Sequence, residues 1–471
     1  MACLETQYRP LPYIQHLHEL PRLDFHFDSC NNVTFEPNEV SYWEGVGFWG
    51  AILALFGLLL FFGILFYLVC KCCCCRTERD YNVSPKSSSR ARCLFLLSAV
   101  VAMAIIGAAV YGAAASVVDG KTVIEKGKQG AKKVFQVENE VTGLLKQLDE
   151  EVVLPLELLE AQSDIELIQS VLYDLDNVKK ELYKVSDKLD EVQVGSTVNF
   201  TEKYVNYWEY GILPAVSWMV VVAFIFLLGS CCCTRCFVQL GVLIALLGII
   251  VAFISGAVAF CLALAGSDFC MNPDYYVLHY SANIGPTDTV EYYVCCSEQY
   301  ESPFQEELNA AFEASEEIES LLTELKEQVE NASQVDLVNQ AISGFDKGRE
   351  HLHQIAQALH CQGLHELYVE ARTSICDNGI LSLIILCGAA MTTSVMFVIV
   401  ISCGCHLLKK LKQEHEYQDT ERMPLTVHDD NNGNTSSYGS YNENHAVDET
   451  RVDLPPTVQY ESFVPNDGND Q

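Results

Sequence analysis

Residues 46–70 read VGFWGAILALFGLLLFFGILFYLVC, an apolar run without one Asp, Glu, Lys or Arg. A hydrocarbon core of ~30 Å takes about 20 helical residues to cross, so this run is a membrane span. Four more runs follow, at 94–117, 211–230, 237–266 and 379–405. The third holds Pro214 and Ser217 near its start, yet Met219 to Leu228 carries no polar residue. Buried helices of soluble proteins rarely run this long without charge, so the sequence predicts an all-α integral membrane protein with five transmembrane helices. The remaining composition agrees. Of 471 residues half are hydrophobic, while 62 Asp and Glu against 29 Lys and Arg give a net charge of −33. The apolar and charged residues are segregated, which excludes a single soluble domain and a disordered acidic chain. No basic face is available to neutralise phosphates, which excludes nucleic-acid binding.

Orientation follows from the basic residues of short loops. The 71–93 loop carries Lys71, Arg76, Arg79, Lys86, Arg90 and Arg92 against Glu78 and Asp80, and is read as cytoplasmic. The arm 1–45 is acidic, holds only Arg9 and Arg22 as bases, shows no signal-peptide pattern, and is read as extracellular. Five spans then place two large loops outside, 118–210 and 267–378. A short turn at 231–236 lies inside, as does an acidic tail, 406–471, whose first residues include Lys409, Lys410 and Lys412. The tail is expected to be disordered. Its tyrosines and the PPTVQY at 455–460 are candidate sorting or WW-type ligands.

The cysteines divide by the same topology. Cys72, Cys73, Cys74, Cys75, Cys231, Cys232 and Cys233 crowd the cytoplasmic ends of spans. They lack the spacing of a zinc site and are candidates for reversible palmitoylation. On the outside, Cys270 follows span four and Cys376 precedes span five by a few residues each, so a bridge would join the two helix bases. Cys296 and Cys361 bracket the helical part of the same loop. We expect the nested pairs Cys270–Cys376 and Cys296–Cys361, with Cys30 and Cys295 as a third pair, although connectivity is not deducible from sequence alone.

Both outer loops are helical by pattern. Ile168, Leu175, Val178, Leu182, Val185 and Leu189 recur at steps of three and four, and Val134, Val137, Val141, Leu144 and Leu148 form an earlier stripe. Pro155 between them predicts a break or kink. In the second loop a tyrosine-rich, irregular stretch (274–301) precedes two more stripes. These stripes are read as a packed helical domain; the alternative is that one lines a lipid-accepting groove. No HExxH, GxSxG or phosphate loop is present, and no enzyme is expected. The spans carry essentially no ionisable residue, so no pore-lining residue is singled out.

Several separated motifs carry a resemblance. YRPLPYIQHLHELPRLDFHF (8–27), SDFCMNPDYYV (267–277), CSEQYESPFQ (296–305), HLHQIAQALHCQGLHELY (351–368) and ICDNG (375–379) stand in order. The pattern resembles the tweety-homologue family of membrane proteins over about residues 8–405. The resemblance implies a plasma-membrane chloride or large-conductance anion channel, some members being calcium- or swelling-activated, built as a helical homodimer. It also implies a hydrophobic pocket near the outer leaflet, hence lipid binding or transfer as an alternative; a glycosylated adhesion or scaffold protein is a second. The four family cysteines correspond to Cys270, Cys296, Cys361 and Cys376. The family's acidic calcium patch corresponds to SVVDG (116–120), where Asp119 matches and the preceding Glu does not. One carboxylate is a weak site for a cation that takes 6–8 oxygens. The region 165–169 also lacks the basic residue linked to the family's anion path.

The orientation is testable through the five sequons at Asn32, Asn82, Asn199, Asn331 and Asn434. Glycopeptide mapping of protein from a eukaryotic host is expected to find sugar on Asn32, Asn199 and Asn331. Sugar on Asn82 or Asn434 overturns the topology.

Overall fold

A computed structural model describes residues 8–23, 34–74, 85–162, 165–190, 194–232, 235–280, 286–297 and 299–421. The chain divides into two units, residues 1–418 and 419–471, and nearly every described element lies in the first. Five helices are long and apolar enough to cross a membrane. They are α2 (Val40–Cys74), α3 (Pro85–Leu148), α6 (Val194–Cys232), α7 (Arg235–Met271) and α13 (Ile380–Glu421). The short helix α1 (Pro12–His18) precedes them. Between them lie α4 (Leu154–Glu160), α5 (Glu166–Asp190), α8 (Pro273–His279), α9 (Thr287–Cys295), α10 (Gln305–Gln328), α11 (Ala332–Ala358) and α12 (Gln362–Thr373). No strand occurs among the described residues.

The membrane helices overrun the apolar runs that predict them. The second run is only the first part of α3, which continues without interruption to Leu148. A helix carries its hydrogen bonds within itself, so the change from hydrocarbon to water does not end it. The expected break at Pro155 takes the form of a π-helical segment, Asp149–Val153, with Pro155 in the first turn of α4 beyond it. Proline has no N–H to give the carbonyl four residues back, and the slipped register absorbs that loss. Two expectations are corrected. The stretch 274–301, read as irregular, contains α8 and α9, each started by a proline just before or within its first turn. The tail, read as disordered from 406, begins helical: α13 runs to Glu421, through the good helix formers Leu407, Leu408, Lys409 and Lys410.

The amphipathic stripes meet one another. Val141, Leu144 and Leu148 of α3, Ile168, Leu175, Leu182 and Val185 of α5, Ile318, Leu322 and Leu325 of α10, and Val338, Ala341 and Ile355 of α11 form one buried core. Each of the Val, Leu and Ile side chains contributes about 1.5–3 kcal/mol by leaving water. The stripes are therefore core and do not line an open groove. The membrane bundle has a separate core, with Phe95, Phe226 and Phe397 fully buried and the Phe95 and Phe226 rings edge-to-face at 5.8 Å. In this bundle α7 touches both α2 and α6, and α6 runs along α3. Helix α2 turns Leu55, Phe56, Leu59, Phe62 and Phe66 outward, as a helix facing lipid does.

Two close backbone approaches require glycine. A Cβ on Gly112 of α3 would sit 2.7 Å from the Leu386 nitrogen of α13. A Cβ on Gly344 of α11 would sit 2.8 Å from the Glu151 carbonyl oxygen, inside the π segment. Gly143, by contrast, has open space around it. We expect Gly344→Ala to lower stability by about 1–3 kcal/mol through overpacking against backbone. Gly143→Ala should raise it by up to about 1 kcal/mol through helix propensity alone. Thermal melts of the two purified variants check the pair, and equal shifts would refute the packing argument.

Candidate functional site at the junction of membrane bundle and helical body

Three of the buried charged residues, Arg22, Asp268 and Asp274, lie where the membrane helices pass into the helical body; Glu307, paired with Lys188, lies within the body. Asp268, in the last turn of α7, is completely buried. A carboxylate there must be paired, because an isolated buried charge costs several kcal/mol. Arg22 supplies the charge, its Nη2 lying 2.7 Å from Asp268 Oδ1. His18 Nδ1 lies 2.9 Å from the same oxygen, and Tyr42 donates its hydroxyl to Oδ2 at 3.1 Å. Three segments distant in sequence, the N-terminal arm, the start of α2 and the end of α7, are thereby fastened to one carboxylate.

A second cluster lies six residues on. Arg372 of α12 contacts both oxygens of Asp274 at 2.8 and 3.0 Å, and Tyr368 donates its hydroxyl to the same carboxylate. The Arg372 guanidinium also lies over the rings of Tyr8 and Tyr368, 5.4 and 5.6 Å from their centroids. Tyr8 in turn donates to Asp377 Oδ1 at 2.7 Å, and Tyr13 to the Asp377 carbonyl at 2.6 Å. Burial first, and then the Asp377 carboxylate, push both phenols above their ordinary range, so they stay protonated and keep donating. Asp377 belongs to a second π segment, Ser374–Gly379, which joins α12 to α13. Slipped register leaves main-chain carbonyls in want of partners, and the arm supplies one through Tyr13.

Cys376, in the same π segment, is bridged to Cys270 at a Cα separation of 5.5 Å. Cys296 is bridged to Cys361 at 5.4 Å. Cys296 ends α9 in the left-handed conformation, φ 40°. This is the nested arrangement expected from the sequence. Cys295 is disulfide-bonded too, while Cys30 lies outside the described residues.

Asp119 lies in α3 beside the same π segment. Ser382 Oγ is 3.1 Å from Asp119 Oδ2 and 2.9 Å from the Asn378 carbonyl. One carboxylate and one hydroxyl fall well short of a calcium shell, and among the described residues no group of three or more His, Cys, Asp or Glu is arranged to hold a metal ion. The oxygens around Asp119 do not fit calcium. Asn331 is exposed and caps α11, its Oδ1 accepting from the Ser333 N–H. Asn199 is exposed on α6, and Asn32 lies outside the described residues. Cys72, Cys73 and Cys74 end α2, and Cys231 and Cys232 end α6; Cys75 and Cys233 lie outside the described residues. One apolar groove of about 560 Å³ opens on the bundle surface between Val100, Ala104 and Ala108 of α3 and Ile385, Ala389 and Thr392 of α13.

The motifs at 8–27, 267–277, 351–368 and 375–379 thus converge on one junction. A sequence model of the family described as Tweety matches residues 9–431. The chain belongs to the Tweety family. It is 25% identical to Protein tweety homolog 2 of Xenopus laevis, over 98% of this chain and 88% of the relative. It is 25% identical to Protein tweety homolog 3 of Danio rerio, over 89% and 76%. Protein tweety of Drosophila melanogaster is 20% identical over 90% of this chain and 44% of its own length. In this Tweety-family chain the junction is a closed knot: the carboxylates of Asp268 and Asp274 each have an arginine and a tyrosine.

Arg22→Ala leaves Asp268 buried without its countercharge and is expected to cost about 3–5 kcal/mol. Asp268→Asn added to that variant should restore part of the loss. Melting temperatures of the detergent-purified single and double variants check it; additive losses would show that the two residues do not interact.

Proposed function

We propose that this Tweety-family protein conducts chloride and related anions across the plasma membrane as a homodimer, with its N-terminus outside. Membership of the family over residues 9–431 carries the reading. The interior of one bundle restricts where such a path runs. Its core is aromatic and aliphatic. The hydroxyls of Ser255 and Ser394, both buried, already donate to carbonyls of their own helices. An ion stripped of water there would meet little to compensate it beyond the buried Thr393 hydroxyl, which has no partner. The path therefore runs along a face of the bundle, between subunits or between protein and lipid.

A second reading, lipid binding, draws on the groove between α3 and α13. Its lining is apolar apart from Thr392, whose hydroxyl donates to the Gly388 carbonyl within α13. Such a slot is matched to an acyl chain or sterol rather than to an ion.

Chloride-loaded liposomes holding the purified full chain separate the two. A protein-dependent, saturable anion flux that excludes cations is expected. No flux, with and without calcium and with osmotic stress, overturns the channel. Stoichiometric lipid retained through purification, and lost in Ala104→Phe, would then favour the second reading.

A further inference from the structure

Helix α6 has 39 residues and is about 58 Å long, roughly twice the ~30 Å of hydrocarbon a span crosses. Counted back from Ser230 at the cysteine-rich end, about 20 residues reach Tyr210. From there toward the helical body the exposed face of α6 is aromatic: Tyr210, Tyr207 and Tyr204 are 77%, 61% and 56% exposed. Their spacing of three puts them on one stripe. The Tyr204 and Tyr207 rings meet edge-to-face at 6.5 Å, and Lys203 Nζ lies 5.9 Å from the centre of the Tyr207 ring.

The other face of α6 is occupied. Trp208 donates its indole N–H to Ser116 Oγ at 3.1 Å, and Val205 packs against Gly120 of α3. The tyrosine stripe therefore points away from the protein. The ion pairs Lys121–Glu209 and Lys128–Glu202, both at 2.7 Å, cross between α3 and α6, the first beside Tyr210 and the second just beyond Tyr204. Charge at this level cannot sit in hydrocarbon, whereas a stripe of tyrosines, apolar in the ring and polar at the tip, is favoured at a membrane–water interface. The layer that suits both is the headgroup region, about 5–7 Å thick on each side of the bilayer. Tyr207 lies about 4.5 Å and Tyr204 about 9 Å beyond Tyr210 along the helix axis.

We propose that the Tyr204–Tyr207–Tyr210 stripe is a phospholipid-headgroup contact, which anchors α6 in the leaflet on the side of the helical body. The Tyr210 and Tyr207 rings lie among the glycerol and carbonyl groups with their hydroxyls toward water, while Tyr204 and Lys203 stand at the outer edge of the headgroups. The contact fixes how far α3 and α6 stand out of the membrane, and it does not depend on whether the protein conducts anions.

Hydroxyl-radical footprinting of the full chain in phosphatidylcholine nanodiscs tests this. Tyr173 and Tyr183, 69% and 52% exposed on α5 of the helical body, are internal references. Tyr210 and Tyr207 are expected to react severalfold more slowly than the references, with Tyr204 between. Equal reactivity of all five tyrosines overturns the proposal. So does protection found only in discs holding two copies, since a second subunit and not lipid would then cover the stripe.

Discussion

Hydrocarbon offers no partner to a peptide group, and the architecture follows from that constraint. Each span satisfies its backbone within itself, as a helix. A helix so formed has no reason to stop at the membrane surface. Helix α3 carries its register from the bundle into the helical body, and α12 reaches α13 through the π segment Ser374–Gly379. Bundle and body are therefore joined by continuous helices rather than by loops. The two π segments mark where the sequence interferes with that continuity. One precedes Pro155; the other holds the disulfide to α7 and the carbonyl that Tyr13 caps.

The junction shows how charge is managed near a low-dielectric region. The apolar parts of the helices are left almost free of ionisable groups, and the buried carboxylates Asp268 and Asp274 stand just beyond their ends. Asp268 and Asp274 each receive one arginine, so neither of these pairs carries net charge, and tyrosine hydroxyls fill remaining acceptor sites. Such a pair adds little to stability compared with an apolar substitute, but breaking it is costly. The same placement of the N-terminal arm meets Asp268 through Arg22, Asp377 through Tyr8 and Tyr13, and Arg372 through the Tyr8 ring.

The spans and amphipathic stripes were legible because both are local patterns. A charge-free run needs only its own composition, and the α5 stripe from Ile168 to Leu189 needs only a step of three or four. The cysteine pairs were legible from their nearness to helix ends. The Arg22–Asp268 pair was not, because its members stand 246 residues apart and neither belongs to a repeating pattern. The available signal was indirect: one of two arginines in an acidic arm and an aspartate just past an apolar run. The unbroken passage of α3 was also missed, since reading spans and loops separately treats a change of solvent as a change of structure. The start of the tail was misjudged for a related reason, its acidic composition hiding the helix formers at 407–412.

The close contact of α3 with α13 at Gly112 connects these features to the groove. Both walls of the groove belong to helices that continue into the helical body, α3 directly and α13 through α12. Below Gly112 the walls separate along Ala104, Ala108 and Ala389, whose small side chains leave the space between them. Above it the same two helices are held by Asp119 and Ser382, and α13 by the Cys270–Cys376 bridge to α7. Gly112 is thus the point about which the separation of the walls is set. A change in the angle between α3 and α13 at the body end must alter the groove at the other, because stiff helices that cross at a backbone contact act as levers. The contact that stands at the body end of that lever is the Asp119–Ser382 hydrogen bond, about two helical turns from Gly112 along α3.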